Sequence, residues 1–159
     1  MGQPRQALIL EAGNAMQAYQ RSTQAFDDAV GRAIGLNPTD LRCLDWLVDG
    51  PKAAGEISGG TGLSSAATTS LIDRLERRGF VRRIRDPQDR RRVLVEMTED
   101  GRSQVGVYYG PIFEEGSALF GTVTDKQLEQ MRDWLMAARE LTDRHRLRVE
   151  ARNETSTSR

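Results

Sequence analysis

Apolar residues recur at three-to-four-residue steps from Leu8 through Ala12, Ala15, Met16, Tyr19, Thr23 and Phe26 to Val30. That spacing predicts one long amphipathic helix over residues 6–34, ending near Gly35. Asn37-Pro38-Thr39-Asp40 restarts a helix: Asn37 caps it, Pro38 fits the first turn, and Asp40 favours the positive end of the dipole. Leu41, Leu44, Leu47 and Val48 form its inward stripe, and Gly50-Pro51 stops it. A short helix over about residues 52–58 follows, with Ala54 and Ile57 inward, and Gly59-Gly60-Thr61-Gly62 reads as a turn. Ser64 caps a helix running to Arg78, with Gly79 at the left-handed terminator position. Thr68, Leu71, Ile72 and Leu75 share its inward face, whereas Ser65, Ala66, Thr69, Ser70 and Asp73 share the outward one.

The period then changes. Phe80–Arg85 and Arg92–Met97 are β-rich runs around Asp86-Pro87 and predict a hairpin. Its tip is too long for a two-residue turn and is expected to project. Thr98 caps a further helix over about residues 99–120, in which Gly110-Pro111 is expected to make a kink or break. Thr124-Asp125-Lys126-Gln127 has the form of a capping box and opens a last helix carrying Leu128, Met131, Trp134, Leu135, Ala138 and Leu141. The tail over residues 151–159 is polar and is expected to be disordered. The fold class expected is mainly α with a small β-hairpin: an N-terminal helix over 1–35, a middle domain over 36–101 and C-terminal helices over 102–150.

Composition narrows the classes of function. The 159 residues carry 23 basic and 23 acidic side chains, with 38% hydrophobic residues and a mean hydropathy of −0.57. No run of about 20 apolar residues exists to span a bilayer. The N-terminal stretch has Glu11 directly after its short apolar patch and does not read as a signal peptide. A cytoplasmic protein without membrane partner is the expectation. The single Cys43 allows neither an internal disulfide nor a multi-thiolate zinc site, and the single His145 leaves a Ser/His/Asp triad hard to assemble. No phosphate-binding loop or nucleophile–base pair is visible, so no catalytic residue, metal or cofactor is expected.

The neutral total hides an uneven layout. Between Arg74 and Arg92 lie nine arginines against Glu76, Asp86 and Asp89, so this window carries +9 − 3 = +6 and the remainder −6. A local arginine cluster in an otherwise acidic chain points to a polyanion. Helix, helix, turn, helix and hairpin is the order of a winged helix-turn-helix domain, and its physics suits duplex DNA. A helix fits the major groove, and small residues at its start let the backbone approach closely. Ser65, Thr69 and Ser70 are placed to bond base edges or phosphates, beside Ser64 and Ala66. Arg74 and Arg77 are placed to reach flanking phosphates. Arginines at the hairpin tip, Arg90 and Arg91, suit the adjacent minor groove.

The string Leu75-Glu76-Arg77-Arg78-Gly79-Phe80-Val81, followed by Asp86-Pro87-Gln88-Asp89-Arg90-Arg91-Arg92-Val93-Leu94-Val95-Glu96-Met97-Thr98-Glu99-Asp100-Gly101, resembles the MarR family of bacterial transcription regulators. The resemblance is close over about residues 36–101, and the long flanking helices fit the family's plan. It implies that Asp89, in the wing signature Asp89-x-Arg91, pairs with Arg91 and orients it into the minor groove. It also implies a homodimer with interlocked terminal helices, each wing domain on one half of a pseudo-palindromic operator, and in many members release by a ligand. The stripes Leu8 to Val30 and Leu128 to Leu141 exceed what a 65-residue domain can cover, which a second copy would answer.

The family resemblance further implies a phenolic or aromatic carboxylate effector in a crevice between the dimerisation helices and the wing domain. Tyr19, Trp46, Tyr108 and Tyr109 are candidates to line it, with Arg42 for a carboxylate, although aromatics at helical spacing are core residues more often than not. Cys43 lies beside Leu44 and Leu47 in the second helix, and reads as a buried inert thiol rather than a redox sensor. Two readings of function stay open on the residues alone. One is a dimeric, sequence-specific DNA-binding regulator, a repressor by expectation. The other is a winged-helix protein whose basic wing contacts protein or RNA.

Overall fold

Six helices and three short strands follow one another in the order α1 (Arg5–Ile34), α2 (Pro38–Trp46), β1 (Lys52–Ala53), α3 (Ala54–Thr61), α4 (Ser65–Arg77), β2 (Val81–Arg85), β3 (Val93–Met97), α5 (Glu99–Leu119) and α6 (Asp125–Thr157). These come from a computed structural model that describes residues 4–157. The chain divides into a unit ending at Pro111 and a second beginning at Ile112.

The helix ends follow local chemistry. Gly35 and Gly79 lie at φ 68° and 77°, where a Cβ would be strained, and terminate α1 and the turn after α4. Asn37 accepts the Asp40 N–H at 2.9 Å while the Asp40 carboxylate accepts the Asn37 N–H at 3.1 Å, a reciprocal cap that starts α2. Ser64 Oγ accepts the Ala67 N–H at the start of α4, and Thr98 Oγ1 accepts that of Gly101 at the start of α5. Thr124 and Gln127 cap α6 reciprocally.

The core lies wholly in the first unit. Leu36, Cys43, Leu44, Leu47, Ile57, Leu71, Ile72, Leu75, Phe80, Val81, Val95 and Met97 form one buried cluster, joining α2, α3, α4 and the sheet. All four residues assigned to the inward face of α4 are buried: Thr68, Leu71, Ile72 and Leu75. Each large side chain removed from water here contributes about 1.5–3 kcal/mol.

The sheet is antiparallel in the order β1-β3-β2. Val81 pairs with Met97 and Arg85 with Val93, which fixes the hairpin register. On the other side of β3, Lys52 and Ala53 pair with Val95 and Leu94.

Several local expectations need correction. Lys52–Ala53 is a strand, not helix, because the free edge of β3 offers its backbone groups a ladder. Helix α3 therefore starts at Ala54, with the Glu56 carboxylate accepting the Ala53 N–H at 2.9 Å, and Ala54 is exposed. The expected turn at Gly59–Thr61 is the last turn of α3. A Cβ on Gly60 would stand 2.2 Å from the Trp46 indole, so glycine there lets that ring lie against the helix. Helix α2 ends at Trp46, leaving Val48 60% exposed rather than inward.

Pro111 lies inside α5, which runs on to Leu119 without a break. Proline removes one ladder donor, facing the Val107 carbonyl, and Val107 lies in a solvent-exposed turn. Residues 151–157 continue α6 as helix rather than a disordered tail. No Gly or Pro interrupts that stretch, and Arg146 pairs with Glu150 one turn apart just before it. The last two positions of the expected tail, Ser158 and Arg159, lie outside the described residues. Among the described residues, no helix is long and apolar enough to cross a membrane.

Candidate nucleic-acid interface

The outward face of α4 is open. Ser64, Ser65, Ala66, Thr69 and Ser70 are all exposed. Thr69 Oγ1 donates to the Ser65 carbonyl at 3.0 Å and Ser70 Oγ to that of Ala66 at 3.2 Å. Each hydroxyl oxygen keeps its acceptor capacity outward, on a surface with no bulky side chain to hold a groove wall away.

The nine arginines from 74 to 92 divide into two sets. Arg74 donates Nε at 3.2 Å and Nη2 at 2.5 Å to Asp40 Oδ1, and Asp40 is 2% exposed. Arg78 donates to the Ile34 and Gly35 carbonyls at 2.8 and 2.5 Å, satisfying the C-terminal end of α1, and its guanidinium lies 5.4 Å from the Phe80 ring centroid. Arg82 donates to its cross-strand neighbour Glu96 at 2.7 Å. Arg83 pairs with Asp73 and Glu76, and Arg92 lies 3.8 Å from Asp86 and 4.0 Å from Glu56.

Arg77, Arg85, Arg90 and Arg91 make no ion pair among the described residues and are exposed. They sit at the end of α4, the end of β2 and the hairpin tip, the places where a cation would meet a polyanion laid along α4. Arg74, expected to reach a phosphate, is instead committed to a buried carboxylate. Its partner lies 34 residues away in sequence, so no local pattern announced the pair. Arg85 joins the free set; its position at the strand end was the available signal, hidden inside a uniform arginine run.

The hairpin tip is ordered by its aspartates. Asp86 Oδ1 accepts the Gln88 N–H at 2.8 Å, and the Asp86 N–H donates to the Arg92 carbonyl at 3.0 Å, closing the loop. Asp89 Oδ1 accepts the Arg91 backbone N–H at 3.0 Å. The side-chain pairing implied for Asp89 and Arg91 is therefore replaced, in the free chain, by an Asx-type turn that fixes the backbone carrying Arg91. The Arg91 guanidinium has no ion-pair partner among the described residues.

The candidate effector residues do not converge. A cavity of about 240 Å³ lies between α1, α2 and α5, lined by Gln24, Asp27, Asp28, Pro38, Leu41, Arg42, Asp45 and Tyr109. Arg42 borders it and also reaches the Thr61 carbonyl at 3.4 Å. Tyr19, at 70% exposed, Trp46 and Tyr108 are not among its lining residues. Tyr109 donates to Asp27 at 2.7 Å and packs edge-on against Phe26; burial, then Asp27, pushes its phenol well above the usual range. Burial and the nearby Asp27 and Asp49 charges push Asp45 up. An aromatic carboxylate entering here would meet three aspartates and one arginine, which disfavours the anion expected.

Cys43 is fully buried and its thiol is pushed up to about 12, by burial first and Asp40 second. A thiol held this far from ionisation lacks the thiolate character that a sensor needs. Among the described residues, no group of three or more His, Cys, Asp or Glu side chains is arranged to hold a metal ion.

The model of the MarR family matches residues 34–92. The chain is 38% identical over 119 residues to the uncharacterized HTH-type transcriptional regulator YcgE of Bacillus subtilis (strain 168), covering 72% of this chain and 77% of that protein. It is 32% identical over 88 residues, 54% of either chain, to the HTH-type transcriptional repressor NicR of Pseudomonas putida. Among solved structures, a MarR family protein from Bacillus stearothermophilus shares the fold with a TM-score of 0.63 at 19% identity, over 89% of this chain and 99% of the other.

Proposed function

The chain belongs to the MarR family of DNA-binding transcriptional regulators and is not an enzyme, and from that premise we propose that it represses transcription as a homodimer on a pseudo-palindromic operator. The observation that carries the reading is the sorting of the arginines. The four left unpaired lie at the C-terminal end of α4, the end of β2 and the hairpin tip, beyond a helix start made of small hydroxyl residues. That is a surface built for a duplex: a close-approaching helix for the major groove, and projecting guanidinium groups for phosphates and the minor groove.

The homodimer is supported by the apolar side chains that α1 and α6 leave in solvent, among them Leu8, Tyr19, Trp134 and Leu141. Repression is supported by the relative NicR, a repressor by name. In the dimer, the two α4 helices read half-sites about one helical turn, 34 Å, apart. A small molecule binding more tightly to a state with a different spacing would release the operator. Action in the cytoplasm, where the DNA is, follows from the same reading.

The test is fluorescence anisotropy on the DNA upstream of the protein's own gene, titrated with salt against a scrambled duplex. Preference for the native fragment, with affinity falling steeply as salt rises, is the expected result. Arg91→Ala should cost about 1–3 kcal/mol of specific binding with the protein still folded. Equal binding of both duplexes would sink the sequence-specific reading; an Arg91→Ala protein that binds its operator like the wild type would overturn the role given to Arg91 in the wing.

A further inference from the structure

Asp73 and Glu76 stand three residues apart on α4 and so lie on one face of it. Both are acidic groups on the helix that the function above lays along a polyanion, where carboxylates oppose binding. Their partner explains their presence. Arg83, on β2, donates Nη2 to Asp73 Oδ1 at 2.6 Å and Nη1 to Glu76 Oε2. The other Glu76 oxygen accepts the Arg83 backbone N–H at 3.1 Å. β2 is an edge strand of the β1-β3-β2 sheet, so this N–H faces away from the ladder and is satisfied by the helix instead. One residue of the hairpin is thus tied to α4 by three bonds, through side chain and backbone together.

The trio carries two negative charges and one positive, so it adds nothing to DNA attraction. What it fixes is geometry. α4 and the β2–β3 hairpin are joined by the short turn at Arg78–Phe80 and packed together through Val81, Val95 and Met97; Arg83 adds a polar tie to α4 on the exposed side of β2. The free arginines Arg90 and Arg91 lie beyond it at the hairpin tip, so a small rotation at Arg83 becomes a larger displacement at the tip.

We propose that Asp73, Glu76 and Arg83 form a positioning clamp that sets the hairpin tip relative to α4, so that the major-groove and minor-groove contacts fall on one duplex in a single register. The clamp rests on the reading of the chain as a duplex-DNA binder. None of the three residues is assigned a base or phosphate contact; they act through Arg90 and Arg91.

The Asp73→Asn, Glu76→Gln double variant separates the clamp from plain electrostatics, because the two accounts predict opposite signs. Removing two negative charges beside DNA should tighten binding to every duplex if charge alone matters. If the clamp matters, binding to a duplex selected from a random pool by the wild-type protein weakens about tenfold or more, while binding to a scrambled duplex does not weaken. Footprints report the cause: minor-groove protection from hydroxyl radicals is lost, and major-groove guanines stay protected from dimethyl sulfate. Arg83→Lys keeps the charge but lacks the planar fork; it should lose the same minor-groove protection, and it serves if the double variant does not fold. Retained minor-groove protection with equal or tighter specific binding overturns the clamp and leaves the DNA reading standing. A wild-type protein that enriches no duplex from the pool overturns the DNA reading, and the clamp with it.

Discussion

The winged part of the chain and its long helices use apolar residues in opposite ways. From Leu36 to Met97 the large apolar side chains mostly close on one another, with Leu47, Ile57 and Leu75 at 0% exposure and Phe80 at 1%. In the first two turns and beyond of α1, and throughout α6, apolar groups of the same size stay in water: Leu8, Ile9 and Leu10 exceed half exposure, and so do Trp134, Leu147 and Val149. From Ile112 onward not one described residue is buried. A helix alone has no second layer to bury its stripe against, whereas three helices and a sheet supply one. The winged part has a core of its own, whereas the long helices leave much of their apolar surface exposed.

The sharpest way to break one side of that contrast is Phe80→Ala. Emptying a site that is 1% exposed should destabilise the winged part by about 3–5 kcal/mol, read by urea unfolding. On the other side, Trp134→Asp should leave that part folded by circular dichroism. It should weaken self-association by about 30-fold or more in sedimentation equilibrium, the equivalent of losing about 2–3 kcal/mol of burial. A change in melting with unaltered association would show that Trp134 is not part of a dimer surface.

Two arginines of one helix sharpen the contrast within the winged part. Arg74→Ala leaves the buried Asp40 carboxylate without its cation and should cost about 1–3 kcal/mol of stability, a figure reduced because Arg74 is 40% exposed. Arg77→Ala should leave the unfolding midpoint unchanged and lower duplex affinity, with a salt slope shallower by about one. Equal melting losses for both would undo the division into structural and free arginines.

The smallest effect concerns Asp45, beside the cavity where α1 meets α2. Its carboxyl is raised above 3.8 by burial and by Asp27 and Asp49, so the folded state holds its proton more tightly than the unfolded state. Its ionisation therefore opposes folding at neutral pH. The penalty fades as pH falls through the raised value and is gone below 3.8. Asp45→Asn should accordingly raise Tm slightly at pH 7, with the gain vanishing in acid. A gain independent of pH would assign it to something other than charge.

The starts of α2, α4, α5 and α6 were legible because capping is local: Asn37 with Asp40, Ser64, Thr98, and Thr124 with Gln127 all act within four residues. The inward face of α4 and the hairpin were legible from periods of 3.6 and 2. The small-hydroxyl helix face was legible too, since exposure follows once the inward stripe is known. The assignment of each arginine was not. Arg74 and Asp40 are 34 residues apart, and Arg78 reaches the end of α1 across 43 and 44 residues. A run of identical cations gives no sign of which ones the fold consumes.

The chain's amino-acid order by itself determined that there is a winged core, where most of its helices begin, and that arginine is concentrated in one window. All of these depend on neighbours a few residues away or on a periodicity. Only the tertiary structure decided that Lys52–Ala53 is a third strand, that Arg74, Arg78, Arg82, Arg83 and Arg92 are engaged within the protein, and that Arg77, Arg85, Arg90 and Arg91 make no ion pair among the described residues. The reason is physical: a charge or a strand edge is committed by whatever group the fold brings within about 3–4 Å of it, and that group is set by packing rather than by sequence separation.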